Sequence, residues 1–303
     1  AGKAIRCKAA VSRNPGEALV IEEIEVEPPK SWEVRVKILC TSLCHSDITF
    51  WKMSTGPFAI FPRIFGHEAV GVVESVGEHV KEVQEGDLVL PVFHPHCREC
   101  RDCKSQKGNG CSVFGYRLNP DMPRDATSRF KGMNGEVLHH FLFVSSFTEY
   151  TVVDVAHVVK ISSEIPVDKA CLLSCGVSTG IKEMTDGGAD YCFECIGLAS
   201  LMEDAFNSNR EGWGKTVILG VEKHGTPLAL NTYLLLRGRS VTGCLFGGFK
   251  PKSDIPLLAE KYLDKELNLD GFITHELSFQ DINKAFELLL QGKSLRCIIW
   301  MDN

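Results

Sequence analysis

The sequence has no long apolar run and no run of basic residues. None of its segments approaches the ~18 uncharged apolar residues that a membrane-spanning helix needs. The 303-residue chain has a net charge of -6 and no basic run longer than two residues, which disfavours nucleic acid and anionic membranes as partners. Its first eight residues lack the apolar core of a signal peptide. These absences, with no internal repeat or low-complexity segment, favour a cytosolic globular protein.

The sequence also lacks the glycine-rich loop that holds nucleotide phosphates. Gly-x-Gly-x-x-Gly, the dinucleotide motif between a strand and a helix, occurs nowhere in the chain. Gly212-Trp-Gly214 leads into a predicted strand instead of following one. Gly214-Lys-Thr216 lacks the first glycine of a P-loop, because Asn209 occupies that position.

Thirteen cysteines are present, and four of them lie in one polar loop. The spacing C-x2-C-x2-C-x7-C predicts a tetrahedral zinc site made by Cys97, Cys100, Cys103 and Cys111. A pair of disulfides is the alternative, disfavoured by the odd number of scattered cysteines. An iron–sulfur site is less favoured still, because the Cys-Pro ending of bacterial ferredoxins is missing. Four thiolates leave no open coordination position, so we interpret this zinc as structural.

A second set of possible metal ligands is dispersed along the chain. Cys44 follows a predicted strand, His67 precedes another, and Cys175 lies near the middle of the sequence. Two cysteines and one histidine form the open kind of zinc site, whose fourth position is free for water or substrate. Sequence distance alone does not show that the three converge. Taken singly, Cys175 fits a core thiol, and His67 a hydrogen-bonded polar residue, better than a ligand.

The periodicity changes twice along the chain. Short β-like runs up to about Lys160 predict an irregular antiparallel barrel. Buried parallel strands alternating with helices are predicted from about Gly176 to Gly248, and the tail contains two amphipathic helices and a closing strand. The predicted strands are residues 18–21, 34–39, 69–76, 88–93, 148–153, 191–196, 217–221, 241–246 and 296–301. The predicted helices are residues 201–206, 233–236, 255–267 and 281–290.

Taken together, these motifs make the chain resemble the zinc-dependent medium-chain alcohol dehydrogenases, the plant members especially. The matching motifs are Cys44-His-Ser-Asp47, Gly66-His-Glu68, the four-cysteine loop, Ser174–Gly180, Gly188–Gly197, Phe246-Gly-Gly248 and Leu295-Arg296. The resemblance implies a mixed α/β fold with a GroES-like irregular β-barrel in a catalytic domain (residues 1–175). It implies a truncated Rossmann-type parallel sheet as a coenzyme-binding remnant (176–248) and a C-terminal return to the catalytic domain (249–303).

The resemblance also implies the chemistry and the residues that perform it. Family members oxidise small primary alcohols to aldehydes with NAD. Catalytic zinc is expected on Cys44, His67 and Cys175, where it lowers the pKa of the alcohol. The other implied residues are Asp47, which orients His67; Ser46, which begins the proton relay; Glu68, beside the metal; and Phe93, Phe141 and Leu142, which line the pocket. Thr49 replaces the histidine that often continues the relay, so we expect proton release through water or slower proton release.

One part of the family pattern is missing. Gly180 runs directly into residues 181–188, which the family has just before its fourth strand, so the first half of the coenzyme domain is absent. The residues that match the nicotinamide and pyrophosphate contacts remain, and they are Ser46, Ile196, Leu219, Gly220, Val221, Phe246 and Arg296. We expect impaired NAD binding, because each charged hydrogen bond lost costs about 1.5–3 kcal/mol.

Two functions stay open at this stage. The chain is either an alcohol dehydrogenase with two zinc ions and weakened NAD binding, or a non-catalytic zinc-binding subunit that dimerises with full-length relatives. A zinc hydrolase is disfavoured, because Glu68 is the only evident general base. The segment 234–248 matches the family's dimer-forming strand, so a homodimer or heterodimer is expected. The strand 191–196 is expected to expose an apolar edge that normally pairs with the missing first strand.

Overall fold

The chain divides into two units, which are described separately. A computed structural model describes residues 2–56, 58–105, 110–115, 120–174, 189–210, 212–222 and 225–301. The larger unit comprises Ala1–Gly176 and Lys250–Asn303, and the smaller unit is Val177–Phe249. None of the described helices combines the length and the hydropathy needed to cross a membrane.

Strands and helices are numbered in chain order over the described residues. The strands are β1 (Ile5–Ser12), β2 (Val20–Val26), β3 (Glu33–Ser42), β4 (Arg63–Ile64), β5 (Glu68–Val76), β6 (Leu88–Pro91), β7 (Phe130–Gly132), β8 (Val137–Leu138), β9 (Tyr150–Asp154), β10 (Val158–Lys160), β11 (Tyr191–Glu194), β12 (Lys215–Ile218), β13 (Ser240–Gly243), β14 (Ile273–Ser278) and β15 (Arg296–Trp300). The helices are α1 (His45–Trp51), α2 (Arg101–Lys104), α3 (Val167–Leu173), α4 (Ala199–Asn207), α5 (Thr232–Leu236), α6 (Pro251–Leu263) and α7 (Ile282–Leu290).

Two sheets form the larger unit. The first is antiparallel, with strand order β4-β1-β2-β7-β8. The second has the order β10-β6-β5-β3-β15-β14, and β9 also pairs with β3. Strand β3 lies between β5 and β15 in this sheet, and one of its faces is apolar: Val34, Val36 and Ile38, at alternate positions, are at most 1% exposed.

The register of β3 against β5 positions the later site. The two strands pair antiparallel, and Ser42 at the end of β3 lies opposite Glu68 at the start of β5. Cys44 follows β3 by two residues and His67 precedes β5 by one. The ladder therefore brings together two residues that are 23 positions apart in sequence.

Parts of the sequence prediction for the larger unit need correction. β1 and β14 were not predicted, because the short apolar stretch of β1 is built partly on Ala9 and Ala10, and β14 is half exposed along its length. β14 runs parallel to β15, so the second sheet is mixed and not wholly antiparallel. Strand β2 begins at Val20 and extends to Val26, beyond the predicted run of 18–21.

The smaller unit contains a parallel sheet, as predicted. Its described strands have the order β11-β12-β13, and both pairings are parallel. Helix α4 buries Met202 and Phe206, and the neighbouring strand residue Cys192 is also fully buried. All three strands end earlier than predicted, at Glu194, Ile218 and Gly243. The regular pairing of β11 with β12 stops there, because the backbone N–H groups of Leu219 and Gly220 both donate to the Glu194 carbonyl oxygen.

Candidate metal centres and active site

Three buried side chains from the β3–β5 region form a candidate metal centre. The Sγ of Cys44, a ring nitrogen of His67 and a carboxylate oxygen of Glu68 all lie within 4.8 Å of one another. Cys44 is 7% exposed, His67 is 1% exposed and Glu68 is fully buried. A thiol, an imidazole and a carboxylate are three of the ligand types that zinc takes in proteins.

Asp47 organises this cluster from the first turn of α1. Its Oδ1 lies 3.2 Å from Nδ1 of His67 and accepts a hydrogen bond from the Gly66 N–H at 3.1 Å. Its Oδ2 accepts from the Cys44 N–H at 3.0 Å. The carboxylate therefore fixes Nδ1–H as the donor and leaves Nε2 of His67 for a ligand. Gly66 has φ of +92°, and an added Cβ would lie 2.4 Å from Oγ of Ser146, so only glycine fits.

The charges around the cluster favour a cation. Burial raises the pKa of Glu68 to about 7, although Arg296 opposes the shift. Neither carboxylate oxygen of Glu68 has a hydrogen-bond donor among the described residues, and Nε of Arg296 lies 3.4 Å away. Burial lowers the pKa of His67, but the negative charges of Asp47 and Cys44 outweigh it and raise that pKa. A buried, unsatisfied carboxylate beside a thiol and an imidazole fits a zinc ion.

The third predicted ligand, Cys175, lies outside the described residues. The residue before it, Ser174, donates from Oγ to the Cys171 carbonyl at 2.6 Å and accepts from the Ala69 N–H at 3.1 Å. The end of α3 is therefore held against β5, two residues beyond His67. This placement supports ligation by Cys175, which stays a prediction.

The four-cysteine loop also converges. The four sulfur atoms lie within 4.8 Å of one another. Cys97 and Cys103 have their Sγ atoms 3.8 Å apart, far beyond the about 2.05 Å of a disulfide bond. The N–H groups of Cys100 and Cys103 donate to the Sγ atoms of Cys97 and Cys100, at 3.4 and 3.3 Å. Burial raises the pKa of the Cys100 thiol, but hydrogen bonds from Ser112 and the Cys103 backbone outweigh burial and lower that pKa to about 5. The donor set fits a closed zinc site.

A clamp from the C-terminal segment holds this loop, and sequence reasoning missed it. Nζ of Lys250 donates to the Cys103 carbonyl at 3.1 Å and also to the Ser105 carbonyl. Arg98 donates to the Lys252 carbonyl at 3.3 Å. The lysine is remote in sequence and carries no motif, so no local pattern could have identified it.

Two of the three predicted pocket residues pack against the imidazole of His67. Both Phe93 and Phe141 have their ring centroids 5.8 Å from that of His67. Phe141 and Leu142 also line a small cavity with Phe50, Phe58 and Arg63. Arg63, which sequence reasoning did not single out, is buried with its guanidinium 5.3 Å from the Phe141 ring. Its two terminal nitrogens donate to the carbonyls of Phe58 and His140, both at 3.0 Å.

The predicted cofactor residues divide between the units. Ser46 and Arg296 belong to the larger unit, and the others belong to the smaller one. In the smaller unit, Ile196 and residues 219–221 lie close together at the carboxyl ends of β11 and β12. Gly220 packs against Gly197, the residue after Ile196: a Cβ on Gly220 would lie 2.2 Å from the Gly197 nitrogen. Phe246 begins a 3-10 turn after β13. None of the described strands is followed by a Gly-x-Gly-x-x-Gly loop.

Comparison with known proteins identifies the family. The family model "Alcohol dehydrogenase GroES-like domain" matches residues 30–163, and "Zinc-binding dehydrogenase" matches residues 155–289. Alcohol dehydrogenase-like 5 of Arabidopsis thaliana is 55% identical, over 99% of this chain and 97% of the relative. Alcohol dehydrogenase 1 of Solanum tuberosum is 41% identical, over 100% of this chain and 99% of the relative.

Solved structures agree on the fold, and the alignment reveals a difference in length. An alcohol dehydrogenase zinc-binding domain protein from Burkholderia ambifaria superposes with a TM-score of 0.87 at 24% identity, covering 99% of this chain and 100% of that one. The alignment with the Arabidopsis relative spans 377 positions, whereas this chain has 303 residues, so at least 74 positions have no residue here. The convergent cysteine loop, the buried Cys44–His67 pair and these relatives show that the chain belongs to the zinc-type medium-chain alcohol dehydrogenases, a family of oxidoreductases.

Proposed function

We propose that this chain binds two zinc ions and oxidises small primary alcohols with NAD, but binds NAD much more weakly than its full-length relatives. Catalytic zinc is assigned to Cys44, His67 and Cys175, and structural zinc to the four-cysteine loop. The observation that carries the proposal is the Cys44–His67–Glu68 cluster, buried and oriented by Asp47. Its substrates are then small alcohols or aldehydes. The cytosolic location remains a prediction.

The residues of the chain have separate roles in this proposal. Zinc, when bound, lowers the pKa of an alcohol so that its proton leaves near neutral pH. Asp47 holds Cys44 and His67 in ligating positions. The Ser46 hydroxyl accepts the alcohol proton as it passes its own proton on. Phe93 and Phe141 exclude water from the imidazole side of the site. Thr49 donates to the His45 carbonyl at 3.1 Å and cannot carry a proton as an imidazole does, so the proton leaves through water.

Weak NAD binding follows from what the coenzyme unit lacks. The described sheet has three strands, and no glycine-rich loop occurs in the sequence. The relatives carry at least 74 positions that this chain lacks, which supports a missing phosphate cradle and ribose-binding carboxylate. Without these anchors, less binding energy is available to hold the nicotinamide against the substrate, so turnover falls along with affinity.

An NAD titration of the zinc-loaded chain tests this proposal. Calorimetry should show no saturation at sub-millimolar NAD, and ethanol oxidation should be far below that of the full-length Arabidopsis relative measured in parallel. Metal analysis of the same sample establishes whether both zinc sites are filled. Robust turnover at sub-millimolar NAD would contradict the weak-binding part of the proposal, whereas loss of zinc would contradict the metal assignment.

A non-catalytic subunit is the second candidate, favoured by the edge strand β13. Among the described residues β13 pairs only with β12, and its Val241 and Thr242 side chains are half-buried. In this reading, β13 joins the chain to a full-length relative. Co-expression with a tagged relative should recover mixed dimers, and Val241→Asp should abolish them while zinc content stays unchanged. Absence of mixed dimers with the native chain would exclude this candidate.

A further inference from the structure

The smaller unit presents an exposed aromatic cluster beside β11. Tyr191 is 51% exposed, Phe193 is 36% exposed and Trp213 is 48% exposed. The rings of Tyr191 and Phe193 are 6.4 Å apart and nearly parallel, and Trp213 meets Tyr191 edge-on at 6.1 Å. Arg210 lies 4.6 Å from the Trp213 ring centroid. A contiguous aromatic patch of this kind marks an interaction surface more often than a plain solvated face.

Tyr191 and Phe193 lie on β11, the edge strand of the described sheet. The carbonyl oxygens of Asp190 and Glu194 accept from the N–H groups of Lys215 and Leu219, both at 2.8 Å. Backbone groups alternate direction along a strand, so Tyr191 and Phe193 direct their N–H and C=O groups away from β12. Within the described parts of the chain, no strand pairs with this edge. The aromatic patch and the unpaired backbone groups therefore coincide.

We propose that β11 pairs antiparallel with β11 of a second copy across a two-fold axis. The alternation places Tyr191 opposite Phe193 of the second copy and Phe193 opposite Tyr191 of the second copy. The four outward N–H groups and the four outward C=O groups then pair within one contact. Directly opposed residues share a sheet face, so all four rings meet on the exposed face. An edge with two outward-facing residues is self-complementary, which favours a second copy over an unrelated partner.

The acidic residues at the two ends of the contact are each neutralised or hydrogen-bonded within their own chain, so they do not oppose this register. Asp190 faces Glu194 of the second copy, a like-charge pair. Arg210 lies 2.9 Å from Asp190 and balances its charge. The Glu194 carboxylate accepts from the N–H groups of Ile196 and Gly197, at 2.8 and 2.9 Å, so it is already held within its own turn.

The exposed area indicates weak association. At roughly 200 Å² for each aromatic side chain, the three exposed fractions leave roughly 300 Å² per copy. Two copies then bury much less than the about 1,200 Å² of a stable interface. We expect a dimer with a dissociation constant in the micromolar range or weaker. This contact is separate from the β13 association, so a chain that uses both surfaces forms open linear assemblies.

The test isolates the β11 contact in zinc-loaded Val241→Asp protein. Sedimentation velocity from low to high micromolar concentration should show a monomer–dimer equilibrium that stops at the dimer. Hydrogen exchange should show the Tyr191 and Phe193 amides becoming more protected as concentration rises, with the Cys192 amide unchanged because it faces β12. If co-expression yields no mixed dimers through β13 while the monomer–dimer equilibrium and the amide protection of Tyr191 and Phe193 persist, the β11 contact stands independently of the proposed function.

Two variants define the outcome. Phe193→Pro removes one outward N–H that the chain does not use in its own sheet, so it should abolish the dimer without loss of zinc. Phe193→Thr keeps the N–H and the strand preference but removes the ring, and should weaken the dimer several-fold. A strict monomer with protected Tyr191 and Phe193 amides would show that the chain covers its own edge and overturn the proposal. A dimer that survives both variants would overturn it equally.

Discussion

Asp47 and His67 form a fully buried pair, with Oδ1 of the carboxylate 3.2 Å from Nδ1 of the imidazole. The same carboxylate accepts the N–H groups of Cys44 and Gly66. One side chain therefore sets the positions of two candidate ligands, one that follows β3 and one that precedes β5. Its position in the first turn of α1 makes the helix part of the metal site.

Replacing Asp47 with asparagine should weaken the catalytic zinc selectively. The amide cannot supply the negative charge that supports the imidazole, and we expect the zinc affinity of this site to fall about 10- to 100-fold. Chelator competition on the purified variant measures this loss, and one zinc should stay tightly bound by the cysteine loop. Asp102→Asn, which changes an exposed acidic residue within that loop, is the control. Equal affinities in Asp47→Asn and native protein would refute the orienting role.

Metal analysis should find two zinc ions in each native chain. Cys44→Ala should leave one zinc with little loss of structure, because the catalytic site is open. Cys103→Ala should also leave one zinc, but the cysteine loop should lose its fold, since four thiolates hold it together. Cys195→Ala, which removes an exposed cysteine outside both clusters, should keep two. A native stoichiometry of one would count against the catalytic assignment.

Removing the Lys250 clamp should speed zinc release from the cysteine loop. Lys250→Met loses the hydrogen bonds that a charged donor makes to the Cys103 and Ser105 carbonyls. Each such bond contributes up to about 3 kcal/mol to the stability of the loop. Stopped-flow transfer of zinc to a coloured chelator would report the change. We expect a faster phase for the structural site and an unchanged phase for the catalytic site. The exposed Lys261→Met on α6 serves as the matched control, and identical traces for the two variants would exclude a clamp.

His140 should make the folded chain less stable as the pH falls below neutrality. Burial lowers its pKa to about 3, and its Nε2 accepts the Arg129 N–H at 3.1 Å. The unfolded chain takes up a proton near pH 6.5 and the folded chain does not, so stability falls as the pH drops from 6.5 towards 3. At about 1.4 kcal/mol per pH unit, the loss at pH 5 is about 2 kcal/mol.

Urea unfolding at pH 7 and pH 5 measures this dependence. The variant His140→Gln keeps an acceptor for Arg129 but cannot be protonated, so its stability should change less between the two pH values. Release of zinc at low pH affects both proteins alike and cancels in the comparison. The same pH dependence in both proteins would show that His140 is not responsible.

Much of the site could be predicted because its information is local. The spacing of Cys97, Cys100, Cys103 and Cys111 fits one loop around one ion whatever the rest of the chain does. The parallel strands of the smaller unit follow from short buried runs, but all three end two or three residues before their predicted ends. The strand β14 was missed, because a half-exposed strand that is held by its neighbour has little periodicity of its own.

The sequence by itself determined which ligand types are present, that four cysteines can close around one ion, and that no glycine-rich phosphate loop exists, because covalent order fixes each of these. Only the tertiary structure decided that Cys44, His67 and Glu68 meet, since their approach depends on the register of β3 against β5. It also decided that Lys250 reaches the cysteine loop and that Tyr191 and Phe193 lie on the edge strand of the described sheet. Such contacts depend on which distant segments pack together, and no local pattern encodes that choice.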